Sequence, residues 1–223
     1  MRGVIAVAAV TGAGLAAALT AGVAAADREA ADAARIDWAA GQIIAGGTGI
    51  ADRHAPSPAV ALGTSRRGAV DAAKRRIAAR LGSLPLAAGG TLAPRLADGA
   101  VKARIDAAID AAVALTAEPE TDGSWRVTLA VPLEAIRIAL GAPRELPAAG
   151  DAGPAIVVVE GVAARPAIGW TVGGAAAATL WVKDIPEWAR GAPRVKARSA
   201  ARGAIALDAA PGSAATLYVV VTK

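Results

Sequence analysis

Between Ile43 and Ala59 the chain reads IIAGGTGIADRHAPSPA, and this stretch limits the fold more than any other. Gly46, Gly47 and Gly49 follow two isoleucines, so the backbone there either takes positive φ or passes close to a neighbour. A phosphate-binding loop would use such glycines differently. It needs a Lys-Ser or Lys-Thr pair at a helix start, or three spaced glycines running straight into a helix. Neither is present: Ala51 to Pro58 intervenes, and Pro56 and Pro58 hold that segment extended. The glycines are therefore read as backbone geometry where a strand, Ile36 to Gly46 with Trp38, Ile43 and Ile44, leaves its sheet.

The segment that follows reads as a helix from Ala59 to Leu84. At 100° per residue Ala61, Leu62, Ser65, Ala69, Ala72, Ala73 and Ile77 share one face, while Arg67, Asp71, Lys74 and Arg75 lie opposite. Small side chains at Ser65, Gly68, Ala69 and Ala72 allow its axis to lie close to a sheet. Arg76 falls within the apolar arc, so its stem either snorkels past the sheet edge or points into a subunit contact.

A second short helix is expected within Leu92 to Asp110, carrying Val101, Ile105 and Ile109. Ala112 to Glu118 and Ser124 to Val131 then flank Glu120-Thr121-Asp122-Gly123, a hairpin signal, with Trp125, Val127, Leu129 and Val131 alternating against polar or small residues. Pro132 fits a first helical turn, leading Leu133, Ile136, Ile138 and Leu140. Four domain segments follow from this reading: 1–26, 27–140, a Pro- and Gly-rich linker 141–154, and a β-rich 155–223. In the last, strands are expected at Ala155 to Val159, Ile168 to Val172, Thr179 to Lys183, Arg194 to Arg198, Ala204 to Leu207 and Thr216 to Thr222, with reversals at Gly173-Gly174 and Pro211-Gly212. The expected class is α+β, a helix on an antiparallel sheet followed by a β-rich half.

The N-terminus reads as an export signal: an apolar run from Val4 to Val23 and then Ala24-Ala25-Ala26, with cleavage expected after Ala26. The alternative is an uncleaved anchor, which the alanines and glycines of the run disfavour. Glu160, Arg165 and Pro166 interrupt the apolar stretch 155–182, so no span is expected in the mature chain. The 223 residues contain no cysteine, hence no disulfide, thiol chemistry or lipobox. The formal charge of +5 speaks in an exported chain for anionic lipid, lipopolysaccharide or acidic polymers, or simply a solvated surface, rather than nucleic acid.

Catalytic and metal readings are thin. His54 is the only histidine, and Ser57 beside it in a proline loop does not make a triad. One histidine without cysteine disfavours zinc, and no EF-hand spacing is present. Asp106, Asp110, Glu118 and Glu120 could be imagined as a glycosidase pair, but acids on an alanine-rich helix ordinarily serve solvation. No cofactor is expected. Trp170, Trp181 and Trp188 offer aromatic faces for sugars or interfaces, with core packing the default and Trp188 the one expected to be exposed.

Trp38-Ala39-Ala40-Gly41-Gln42-Ile43-Ile44-Ala45, Gly47-Thr48-Gly49, and then Ser65-Arg66-Arg67-Gly68-Ala69 with Asp71-Ala72-Ala73-Lys74-Arg75, resemble the small outer-membrane lipoprotein family that includes the flagellar basal-disk protein FlgP. The resemblance covers Ile36 to Leu84 best; Ser65 and Gly68 stand where alanines are usual, and the lipobox cysteine is missing. It implies a strand-helix-strand-strand unit, an envelope location and homo-oligomeric scaffold roles without catalysis. The expected function is accordingly a structural, self-associating envelope protein, periplasmic or secreted, with Arg66, Arg76 and Trp188 as interaction residues. A periplasmic binding module for a glycan or other envelope ligand is second, and an exported hydrolase using His54 third.

Overall fold

The segment expected as a single strand from Ile36 to Gly46 folds instead as a hairpin. Strands β1 (Arg35–Asp37) and β2 (Gln42–Gly49) pair antiparallel with Ile36 opposite Ile43, which places Trp38 in the turn. The Asp37 carboxylate makes that turn by accepting the Ala40 N–H at 2.9 Å, and Gly41 closes it at φ +67°, a left-handed value that suits glycine. The computed structural model describes residues 32–141, 154–209 and 215–222; the export segment, linker residues 142–153 and Pro211-Gly212 lie outside them.

The glycines at 46, 47 and 49 stay within β2 and none has positive φ, so they do not mark an exit from the sheet. They admit a helix. Helix α1 (Pro58–Leu81) crosses β2 at this point. A Cβ on Gly47 would lie 2.6 Å from the Ala73 nitrogen and closer still to the Ala69 carbonyl oxygen. One on Gly49 would lie 2.6 Å from the Ala69 nitrogen and closer still to the Ser65 carbonyl oxygen. The backbone of the helix therefore rests on the backbone of the strand.

The contacting row on α1 is Ser65, Ala69, Ala73, Ile77 and Leu81, all buried and four apart. Its first three members are small and face the glycines; Ile77 and Leu81 join Ile43, Val131 and Ile136 in the core beyond. Leu62, expected on this face, is 40% exposed. Ser57 starts the helix by accepting the Val60 N–H on its hydroxyl, with Pro58 in the first turn.

Strands β3 (Val113–Pro119) and β4 (Trp125–Pro132) form the expected hairpin, with Gly123 at φ +81°. The sheet order is β1-β2-β4-β3, antiparallel throughout, and Val127, Leu129 and Val131 point into the core as their alternation predicts. After a short 3-10 turn (Ala93–Ala97), helix α2 (Gly99–Asp110) is capped by Asp98 and buries Val101, Ile105 and Ile109. Helix α3 (Leu133–Ala139) follows β4 directly, with Pro132 at its cap rather than inside its first turn.

The second half holds β5 (Ile156–Val162), β6 (Thr171–Val172), β7 (Ala175–Ala176), β8 (Ala178–Val182), β9 (Arg194–Ala201), β10 (Ala204–Leu207) and β11 (Leu217–Thr222) in the order β7-β6-β10-β9-β5-β11-β8. Gly173 and Gly174, at φ +59° and +87°, make the expected reversal between β6 and β7. The run from β9 through β5 and β11 to β8 is parallel. Continuous apolar sequences such as IVVV in β5 and YVVV in β11 suit that position, because both faces are covered. Val157, Val159, Tyr218 and Val220 lie in one apolar cluster with Trp170 and Trp181; Val158 and Val219 lie in another with Ala189.

Main-chain bonds join the halves. Trp181 N–H donates to the Trp38 carbonyl at 3.0 Å, Ala87 N–H to Ile168 at 2.8 Å, and Ile168 N–H to Pro85 at 3.0 Å. Ala34–Lys223 is accordingly one compact unit, an α+β fold with a helix on an antiparallel sheet and a β-rich second half. Among the described residues no helix is long and apolar enough to cross a membrane.

Gly47→Ala should destabilise the fold by about 2 kcal/mol or more, because the added methyl must push α1 off the sheet. Gly63→Ala, in the same helix with its nearest neighbour at 3.9 Å, should stabilise it by roughly 0.5–1 kcal/mol. Denaturant titration of the two variants checks the opposite signs.

Candidate functional site

Where the two sheets meet, α3 places Glu134 and Arg137 one turn apart. The guanidinium makes two bonds to the carboxylate, Nε to Oε2 and Nη2 to Oε1, both 2.7 Å. Arg137 keeps only 5% of its side chain in water and Glu134 29%. The pair lines a cleft of about 50 Å³ with Trp38, Gly41, Ile168 and Thr179. That volume admits a few waters, whereas small-molecule pockets run to roughly 300–1,000 Å³. The pair fixes the seam rather than presenting a free charge to it. Sequence reasoning did not single it out, although the Glu-x-x-Arg spacing in LEAIRIA was its signal.

The sequence-predicted groups are dispersed. His54 is exposed in the loop between β2 and α1, its main-chain N–H bonded to Asp52 Oδ1 at 2.8 Å, and the neighbouring Ser57 hydroxyl is the cap of α1. Asp110 pairs with Lys74 at 2.8 Å, Asp106 with Lys102, and Glu120 with Arg126 at 3.1 Å, so these acids face bases and not each other. No cluster of three or more metal-ligating side chains occurs among the described residues.

Arg76 does not project into solvent. Its Nη1 donates to the Gly46 carbonyl at 2.8 Å, where β2 runs on past the end of β1. Arg66 is exposed, with its guanidinium 5.3 Å from the centre of the Trp125 ring. Trp170 and Trp181 pack against each other, ring centres 5.7 Å apart, and both are buried, so their faces belong to the core. Trp188, in a short 3-10 turn (Glu187–Ala189), is 55% exposed, as expected.

What the sequence did not reveal is the state of the sheet edges. A strand edge carries unpaired N–H and C=O groups that accept another strand unless something covers them. The turn after β1 meets β8 through the Trp38–Trp181 bond, Arg76 occupies the Gly46 carbonyl of β2 beyond β1, and β7 has two residues. β3 differs. Among the described residues it pairs with β4 alone, and six of its seven positions, all but Ala117, are exposed, with Val113 at 57% and Leu115 at 49%. Its register shifts between Ala114 and Thr116, which bends the edge at Leu115.

Compared with known proteins, the chain matches no family model and no curated protein.

Glu134→Ala should cost about 2 kcal/mol by removing the carboxylate that neutralises Arg137 in the seam, less than the roughly 3–5 kcal/mol of a fully buried pair because Glu134 is partly solvated. Glu134→Leu combined with Arg137→Met should recover most of that loss. A double-mutant cycle by thermal denaturation measures both.

Proposed function

We propose that this chain is a non-catalytic, exported cell-envelope scaffold that self-associates, with copies joining at the edge of β3. The observation that carries the reading is that long, open edge with Val113 and Leu115 in water. The bend at Leu115 disfavours a flat foreign strand. A second β3, related by a two-fold axis normal to the sheet, has the same bend and the antiparallel direction that the rest of this sheet uses. Glu118 is the only charged residue of the strand, and antiparallel pairing sends the two copies of it to opposite ends of the contact.

Export is supported by the Val4–Val23 run and the Ala24-Ala25-Ala26 site. The resemblance of Trp38 through Arg75 to the FlgP-containing lipoprotein family supports an envelope location and a role in assembly. Arg66 and Trp188 remain exposed for contacts with other envelope proteins; Arg76 acts within the fold.

Sedimentation of the processed chain across a concentration series tests the proposal. A dimer or larger species should form, and Leu115→Lys should weaken it by about 30-fold or more, the effect of losing a central contact. A monomer at every concentration, or assembly indifferent to Leu115→Lys and to Thr116→Pro, would overturn it.

A further inference from the structure

Ile50, the first residue after β2, is 85% exposed, the most of any large apolar side chain among the described residues. Its backbone is held in place, because Gly49 lies against Ser65 and Ala69 of α1 and Ala51 lies against Gly123 of the β3–β4 turn. Those two neighbours carry only a hydrogen and a methyl, so the isoleucine stands clear of them. The carboxylates close by in the loop and the turn are engaged: Asp52 accepts the His54 N–H, Asp122 the Ser124 N–H, and Glu120 pairs with Arg126.

Between α1 and α2 lies an apolar hollow of about 90 Å³, walled by Leu81, Leu96, Ile105 and Ile109, with the exposed Ala78 at its mouth. That volume exceeds the ~30 Å³ share of one water and falls short of the roughly 150 Å³ that holds benzene, so it suits one aliphatic side chain. We propose that Ile50 of one copy of the chain enters this hollow of the next. Apolar walls gain dispersion contacts when a side chain of that size enters, and a β-branched residue has little rotamer freedom to lose. Ala78 lies about 20 Å along α1 from Ser65, so Ile50 cannot reach the hollow of its own chain. Knob and hollow at separate places make a head-to-tail contact, which passes from copy to copy and either closes a ring or runs on as a filament. The pairing at β3 is two-fold and stops at two copies, so this second contact goes beyond it and stands without it. Lys102 and Asp106 beside the hollow are paired with each other, and the contact is apolar rather than ionic.

Sedimentation of the processed chain carrying Leu115→Lys, which weakens the β3 contact and leaves this one untouched, tests the proposal. Association should persist with rising concentration and survive about 0.5 M salt. Ile50→Ser should weaken it about tenfold or more, and Ala78→Trp, which fills the hollow from an exposed helix position, by as much. Trp188→Ser removes a larger exposed side chain in the second half and should leave association within about twofold. Mixing the two variants is the sharper reading: the Ile50→Ser chain keeps the hollow and the Ala78→Trp chain keeps the knob. Together they should form a heterodimer that neither forms alone. A Leu115→Lys chain that stays monomeric to about 1 mM, a mixture no larger than its parts, or an equal loss with Trp188→Ser overturns the proposal. So does a response to Ala78→Trp without one to Ile50→Ser, which would give the hollow to a different partner.

Discussion

The direct seating of α1 on the glycines of β2 is the contact on which the rest of the first half depends. Because no side chain separates the two backbones, polar side chains on one element reach main-chain atoms on another. Arg76 bonds the Gly46 carbonyl, and the Ser65 hydroxyl reaches the Gly123 carbonyl in the β3–β4 turn at 3.1 Å. Glycine in a strand costs roughly 0.5–1 kcal/mol in lost conformational freedom. Here that cost is offset by close packing that a larger side chain would forbid, and by bonds that need the short distance. The alanine-rich composition of α1 follows from the same geometry: at Ala69 and Ala73 a longer side chain would lift the helix away.

That seating also settles how edges are covered. With α1 fixed, the β1–β2 turn is free to meet the second sheet, and Trp38 packs against the apolar clusters of both halves while its carbonyl accepts from Trp181. Gly41 in that turn lies against the Leu180 side chain, and its φ of +67° is what favours glycine there. Glu134 and Arg137 neutralise each other at the same seam. The β1 and β8 edges thereby meet, and β3, at the other edge of the first sheet, has no such neighbour among the described residues.

Sequence pattern disclosed elements that depend on local chemistry and concealed relations that depend on topology. The α1 periodicity, the Asp-Gly turn before Ser124 and the strands from Ile156 to Thr222 other than β7 were legible because their apolar runs and turn residues are local. The β1–β2 hairpin was not, because its turn, Asp37 to Gly41, has tryptophan and two alanines between the side-chain acceptor and the glycine, and reads as continuous strand. The parallel order of β9, β5, β11 and β8 leaves no periodic mark, since a strand buried on both faces is apolar at every position. For the sites, the exposure of Trp188 was foreseeable from its Pro-Glu context. The open edge of β3 was not, because whether a hairpin strand is outermost is decided by residues far away in sequence. Arg76 shows the limit at one residue: its place in the apolar arc was visible, its acceptor on β2 was not.

The placement of α1 and β3 leaves the proposed edge contact clear of the helix. α1 covers one face of the first sheet, and β3 forms an edge of it. A two-fold axis normal to the sheet lengthens it in its own plane and keeps both helices on the same side, so neither helix stands between the joining edges. Pairing at the edge would thus need no conformational change in α1 or in either sheet.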